Sequence, residues 1–318
     1  MTITDAAVRS VVVGNGADEH VTAVTALLVP DTWELVDATS LASRRYVLHH
    51  GELRVRRPGE PVPVRLGSGC RGWLRRFAPP DWQRGVVLDS RDAAIKTAWL
   101  TLLAGFARTG GVTWLTALDQ LNRAEGKLAQ YAAAADLGIP APETVVASDS
   151  AALRETLGHS FVLKPLGSGH FLDGDGQGHV VFATETNADA PFLDHLGGAP
   201  FLAQQVVDAQ LHLRVVTVRQ EAWACSLDAS KVPFDWRRRS AAQRSFRPVD
   251  LPAPVRAGAL LMARHFELGY SSQDWVLDRS ERVWFLDLNP SGQWLFLPEP
   301  VASTVTAAIA DWLGGAGR

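Results

Sequence analysis

The chain has 318 residues, 47% of them apolar, with 31 Lys+Arg against 34 Asp+Glu and a formal charge of -3 at pH 7. That length allows two or three subdomains with a sizeable core, and the near-neutral balance excludes the basic field on which nucleic-acid binding depends. No apolar run reaches membrane-spanning length, and residues 1–10 lack the charged start and apolar core of an export signal. Cys70 and Cys225 are too few and too far apart for a disulfide framework or a cysteine metal site. Together these features predict a cytoplasmic protein with no membrane and no nucleic-acid partner. Lysine is scarce: Lys96, Lys127, Lys164 and Lys231 stand among many arginines, so a retained lysine suggests a need for a compact point charge.

Residues 8–14 are an apolar run closed by Gly14. Residues 17–29 place Val21, Val24 and Leu28 at helical spacing, and 33–36 read as a second strand, giving a β-α-β opening. Gly14-Asn15-Gly16 is not a dinucleotide fingerprint, because the third glycine and the following acid are missing. Residues 46–48 and 53–55 flank His49-His50-Gly51-Glu52 as a hairpin. Neighbouring strand residues point opposite ways, so these histidines read as turn residues rather than metal ligands. A helix is expected over 89–108, started by Ser90 or Asp92 and ended by Gly110-Gly111. A short strand over 112–115 follows, then one long helix over 122–137 that carries Lys127 and stops at Gly138-Ile139-Pro140.

From residue 143 the pattern becomes strand-rich, with strands over 143–147, 161–165, 179–182, 201–207, 212–219 and 221–227. Residues 240–249 are polar and Arg-rich and read as a mobile loop. Residues 254–268 form an amphipathic helix, and a last helix spans 298–313. The apolar residues of 99–106 fit either a homodimer surface or core. Trp73 and Trp82, near Arg71, Arg75 and Arg76, could line a peptide groove, although buried Trp is the commoner account.

Three stretches carry chemistry. Residues 161–170 are a strand that delivers Lys164 and then a loop with Gly167, Ser168 and Gly169. Such a loop lets backbone N–H groups approach a phosphate while the lysine offsets its charge, although the order is not that of a Walker loop and a plain hairpin loop is the rival reading. Arg214 lies in a strand with His212, where a structural ion pair and an anionic ligand are equally good partners. Asp274 and Asp287 fit two antiparallel strands joined by a turn at 278–281, with Asn289 two residues beyond Asp287 on the same face. Two carboxylates and an amide suit Mg2+, which takes oxygen ligands and shares substrate phosphates.

The order and spacing of these elements resemble the ATP-grasp ligases over about residues 117–315: 122–130 with Lys127, the strand at Lys164, Gln204 to Val207, Arg214, Asp274, and Asp287-Leu288-Asn289. More narrowly, Asp235-Trp236-Arg237 and the ending Asn289-Pro290-Ser291-Gly292-Gln293-Trp294 resemble the ATP-grasp maturases of ribosomal peptides, the macrocyclases of microviridin-like graspetides. Arg56-Arg57-Pro58 and Asp18-Glu19-His20 resemble that family's N-terminal region.

The resemblance implies an α/β protein of ATP-grasp fold: an N-terminal β-α domain over 1–116, a central domain over 117–200 and a C-terminal antiparallel-sheet domain over 201–318. It implies ATP and Mg2+ as cofactors. Lys127 and Lys164 would contact the phosphates, Ser168 and Gly169 cover them, and Gln204, Gln205, Val206 and Val207 line the adenine. His212 would sit near the ribose, and Asp274, Asp287 and Asn289 would hold Mg2+. Arg214 and Lys164 would serve catalysis. The expected activity is ester or amide crosslinking of a ribosomal precursor peptide, leader plus acidic and hydroxyl-bearing core, through an acyl phosphate. Small-molecule carboxylate-amine ligation and a non-enzymatic peptide-binding module are the alternatives. Three positions depart from the family: Asp287 where Glu is usual, His212 where an acid commonly meets the ribose, and Gln205 in place of a hinge Glu.

Overall fold

The computed structural model describes residues 8–315 apart from 38, 61, 77–89, 168, 173 and 194–198. Strand β1 (Ser10–Gly14) is buried on both faces, which is why it reads as an unbroken apolar run. Helix α1 (Glu19–Thr25) follows, capped by the Asp18 carboxylate on His20 N, and leads into β2 (Trp33–Asp37). Then come three antiparallel strands, β3 (Arg45–His49), β4 (Glu52–Arg56) and β5 (Val64–Leu66), with His50-Gly51 as the expected hairpin turn. The region continues with β6 (Arg71–Leu74), α2 (Arg91–Thr109) and β7 (Thr113–Trp114). A parallel sheet of order β2-β1-β6-β7 results, as the β-α-β opening predicts. Within α2, Leu103, Phe106 and Ala107 turn into the core, while Trp99, Leu100 and Leu102 of the apolar stripe at 99–106 are half-buried.

The single helix expected over 122–137 is two helices, α3 (Leu118–Glu125) and α4 (Lys127–Asp136). Gly126 separates them with φ -75 and ψ 110, an extended conformation that interrupts the helical backbone. The break makes Lys127 the first residue of α4.

The central unit contains β8 (Thr144–Ala147), α5 (Ser150–Leu157), β9 (Ser160–Lys164), β10 (His170–Leu172), β11 (Gly178–Val180), β12 (Thr184–Asn187) and β13 (Phe201–Gln205). Its sheet has the order β12-β9-β13-β8, and β10-β11 is a separate ribbon. Because β13 pairs with β8 and β9, residues 201–205 belong to the central sheet rather than to the strands that follow them.

The C-terminal unit comprises β14 (Ala209–Val218), β15 (Glu221–Asp228), β16 (Arg247–Val249), α6 (Ala253–His265), β17 (Tyr270–Asp278), β18 (Val283–Asn289) and α7 (Val301–Gly314). All five strands are antiparallel, in the order β16-β15-β14-β17-β18. Residues 240–249 are therefore not a mobile loop. Arg247 to Val249 pair with β15, and the Phe246 ring is buried edge-on against Trp236 at 5.3 Å. Leu213, Val215 and Trp275 pack under α6 on one face of this sheet, while Val216, Val218 and Tyr270 on the other join a core shared with α7, with Val24 of α1 and with Val12 and Trp73 of the N-terminal sheet. No helix among the described residues is long and apolar enough to cross a membrane.

Candidate active site

A cavity of about 810 Å³ lies between the central and C-terminal sheets. Lys127 reaches it from α4, its Nζ donating to Pro165 O at 3.2 Å. Lys164 reaches it from the end of β9, its Nζ donating to Gln204 Oε1. Burial pulls the Lys164 ammonium down to about 8, with Asp287 pulling back up and Lys127 pushing further down.

The opposite wall is the β17–β18 pair. Asp274 stands directly across from Asp287 in the register and Ser272 across from Asn289, so all these side chains share one face. A bulge at Leu286 shifts the register between Asp274 and Trp275. Burial raises the Asp287 carboxyl, and the neighbouring Asp274 raises it further, while Lys127, Lys164 and Arg237 oppose both. Among the described residues no three His, Cys, Asp or Glu side chains form a metal cluster. Two paired carboxylates nevertheless suit Mg2+, which keeps waters and takes phosphate oxygens for its remaining positions.

The expected nucleotide residues also converge here. Gly169, Gln204, Gln205, Val206, Val207 and His212 all line the cavity. Ser168 lies outside the described residues. The buried Gln204 is fixed by donating from Nε2 to Thr144 Oγ1 at 2.8 Å, which presents its oxygen to Lys164. Burial lowers His212 and so favours its neutral form, against the pull of Asp274 and Asp235.

Arg214 and Asn289 do not line the cavity itself. Arg214 stands behind Asp274, with Nε 3.2 Å from Oδ1 but not aligned for a hydrogen bond, and Nη1 donating to Ser272 Oγ at 3.0 Å. Its guanidinium lies 5.7 Å from the centres of both the Trp236 and Phe296 rings. Asn289 Oδ1 accepts from Ser291 N at 2.9 Å, which leaves a second lone pair on that oxygen.

Asp235-Trp236-Arg237 carries the family resemblance in the sequence, but its contacts emerge only in the fold. Asp235 accepts from Ala183 N at 3.1 Å, tying the central unit to the C-terminal one, and also binds Arg237, which faces the cavity. An acid and an arginine flanking a buried Trp236 were the available signal.

Farther back, Arg75 is 2% exposed; its Nε lies 3.1 Å from Asp18 Oδ2, and its Nη1 donates to Ser291 O and Gly292 O. Burial alone would raise Asp18, but His20 and Arg75 hold its carboxyl below the usual range. His20 Nε2 accepts from Trp294 N at 3.2 Å, so its proton resides on Nδ1 facing Asp18. At Gly292 a Cβ would come within 2.5 Å of the Ser272 Cβ, so this turn requires glycine. Arg75 and the buried Trp73 thus belong to the junction between units and not to an open peptide groove; Trp82 lies outside the described residues.

Neither a protein-family model nor a curated protein sequence matches the chain. Solved structures do. Macrocyclase MdnC from Microcystis aeruginosa, bound with precursor peptide MdnA, superposes with a TM-score of 0.80 at 19% identity, over 96% of this chain and 99% of that one. The RiPP-associated ATP-grasp ligase of Chryseobacterium gregarium, in complex with ADP and a leader and core peptide, gives 0.83 at 20% identity, over 98% of both chains. The fold is that of the ATP-grasp ligases. A D-cycloserine synthetase, DcsG, also shares it, with a TM-score of 0.56 at 16% identity over 96% of this chain and 99% of that one. At such identities the ATP-grasp likeness carries the architecture, and the chemistry has to be read from the side chains.

Proposed function

We propose that this ATP-grasp chain is an ADP-forming ligase that builds ester or amide crosslinks within a ribosomally made precursor peptide. The observation that carries the reading is electrostatic. Two lysines face the cavity, their hydrogen-bond partners among the described residues being neutral, a carbonyl and an amide, opposite a pair of carboxylates. Phosphates bridged by Mg2+ complement both walls at once, so the residues present fit the nucleotide and the metal.

In this reading Lys127 and Lys164 hold the phosphates, with Ser168 and Gly169 over them. Gln204 to Val207 line the adenine, and His212, neutral by burial, meets the ribose. Asp274, Asp287 and Asn289 hold Mg2+, and Arg214, behind Asp274 and beside the Trp236 and Phe296 rings, would steady charge at the reacting carboxylate. ATP supplies the activation: its terminal phosphoryl passes to a substrate carboxylate with release of ADP, and a hydroxyl or amine then displaces phosphate to form the bond. Asp287 is one methylene shorter than glutamate, and its place at the bulge beside Leu286 gives its strand an added bend there.

A peptide substrate is favoured over a small one by the higher superposition on the peptide-bound ligases than on the synthetase, and by Val181 and Phe234, which line the cavity while 44% and 43% exposed. Residence in the cytoplasm and assembly as a homodimer belong to the same proposal; a monomeric mass in light scattering would remove the latter.

The test is incubation with ATP, Mg2+ and a precursor peptide encoded beside the gene. The product should be lighter by one water for each bond, with ADP released alongside. Asp287→Asn should fold and retain some nucleotide binding, yet lose product formation by orders of magnitude. Near-wild-type turnover by that variant would overturn the metal assignment. Joining of two separate molecules would instead favour the small-molecule ligase.

A further inference from the structure

Strand β18 carries Asp287 and Asn289, yet it is the outermost strand of its sheet, so one row of its backbone N–H and C=O groups has no neighbouring strand. Pro140 O accepts from Phe285 N at 2.8 Å, and two consecutive residues of α4 cover the groups beyond it. Gln130 is 1% exposed; its Nε2 donates to Leu288 O at 2.7 Å and its Oε1 accepts from Leu288 N at 2.9 Å. One side-chain amide thereby pairs with Leu288 as the peptide group of another strand would. The second proton on Nε2 goes to Ala124 O at 2.7 Å, across the break at Gly126. Tyr131 donates from its hydroxyl to Leu286 O at 2.8 Å, at the bulge. The residues on both sides of Asp287 are therefore held from one helix. The first residue of that helix is Lys127, which faces the same cavity.

We infer that Gln130 and Tyr131 are positioning residues: through the backbone of Leu286 and Leu288 they fix the Asp287 carboxylate, and with it the metal, relative to Lys127. Gln130 does not line the cavity; Tyr131 does, and in this role it acts through its bond to Leu286 O. The geometry also dictates which replacements can serve. Leu288 requires one acceptor and one donor from the side chain, and Ala124 O requires a second donor, so only a primary amide satisfies all three. Glutamate would set a carboxylate against two carbonyl oxygens, and methionine would fill the space with no polar group at all. Partners that orient metal ligands in this way typically change metal affinity by about 10- to 100-fold when removed.

The inference rests on reading the Asp274–Asp287 face as the Mg2+–nucleotide site, and the experiment keeps the two separable. ADP binding to the full chain is measured by calorimetry without metal and across a Mg2+ titration, with Mn2+ binding followed in parallel by electron paramagnetic resonance. Gln130→Met should leave metal-free ADP affinity within about two-fold and raise the half-saturating Mg2+ concentration by about ten-fold or more. Asp287→Asn is the reference. If it abolishes the Mg2+ dependence while Gln130→Met leaves it untouched, the positioning role is overturned and the site stands. If Asp287→Asn itself changes nothing, the site reading fails and the inference falls with it. Should Gln130→Met not fold, Tyr131→Phe removes a single oxygen and is read in its place: a rise of several-fold in half-saturating Mg2+ supports the inference, and no change overturns it.

Discussion

Lys164 ends β9 with its ammonium against the Gln204 amide, and burial lowers it to about 8, whereas a lysine in the unfolded chain titrates near 10.4. Below about pH 8 both states carry the proton and the folded state bears the full cost of burying the charge. Between about 8 and 10 the unfolded chain holds more protons, so this contribution to stability improves as pH rises. Anion binding works the other way, because phosphate favours the charged lysine. ADP affinity should therefore be greatest below about pH 8 and decline as pH rises through it, by up to about ten-fold per unit. Calorimetry from pH 7 to 9 checks the slope. Lys164→Ala should flatten that slope and weaken ADP binding by about 1.5–3 kcal/mol, the usual worth of a hydrogen bond to a charged group; unchanged affinity would remove Lys164 from the site.

The packing of α6 on β17 decides how firmly the carboxylate strands are held from behind. Gly258 faces the buried Trp275 indole, where an added Cβ would come within 2.6 Å of a ring carbon. Two effects compete in Gly258→Ala. Helix propensity favours alanine by about 1 kcal/mol, whereas overpacking a close-packed core costs about 1–3 kcal/mol. The ring cannot retreat, since its Nε1 donates to Gln273 Oε1 and its other edge meets Phe285, so the clash lies at the upper end of that range. A net loss of about 1–2 kcal/mol in urea unfolding is expected; a gain would show that the helix slides freely over the sheet.

The sheets do not bury equal cores. The N-terminal and C-terminal sheets meet in one large core, reinforced by Ser10 Oγ donating to Leu313 O at 2.8 Å and by the Asp18–Arg75 junction. The central sheet has a much smaller core of its own around Leu153, Phe161, Phe201 and Ala203. Regions with fewer buried apolar contacts open at lower free energy than the rest of the molecule. Backbone amides of β9 and β13 should accordingly exchange with solvent faster than those of β14 and β17, and ADP with Mg2+ should slow the former more. Equal exchange across the sheets would show that all units open together.

Much of this protein is legible in residue order, because strands, turns and caps are local properties. The alternation around Asp274 and Asp287 puts both carboxylates on one face of paired strands, and the scarcity of lysine singles out Lys127 and Lys164. The register and the cavity agree with both. Other features depend on partners far along the chain. Gly126 breaks a helix that periodicity alone would continue, and residues 240–249 become ordered because β15 offers an edge and Trp236 a ring for Phe246. The pairing of Gln130 with Leu288, 158 positions away, has no sequence signature, because a buried glutamine and an exposed one look alike until the strand beside it is in place. Composition and period determined which elements form. Only the tertiary structure decided which backbone edges lacked partners and which side chains came to satisfy them.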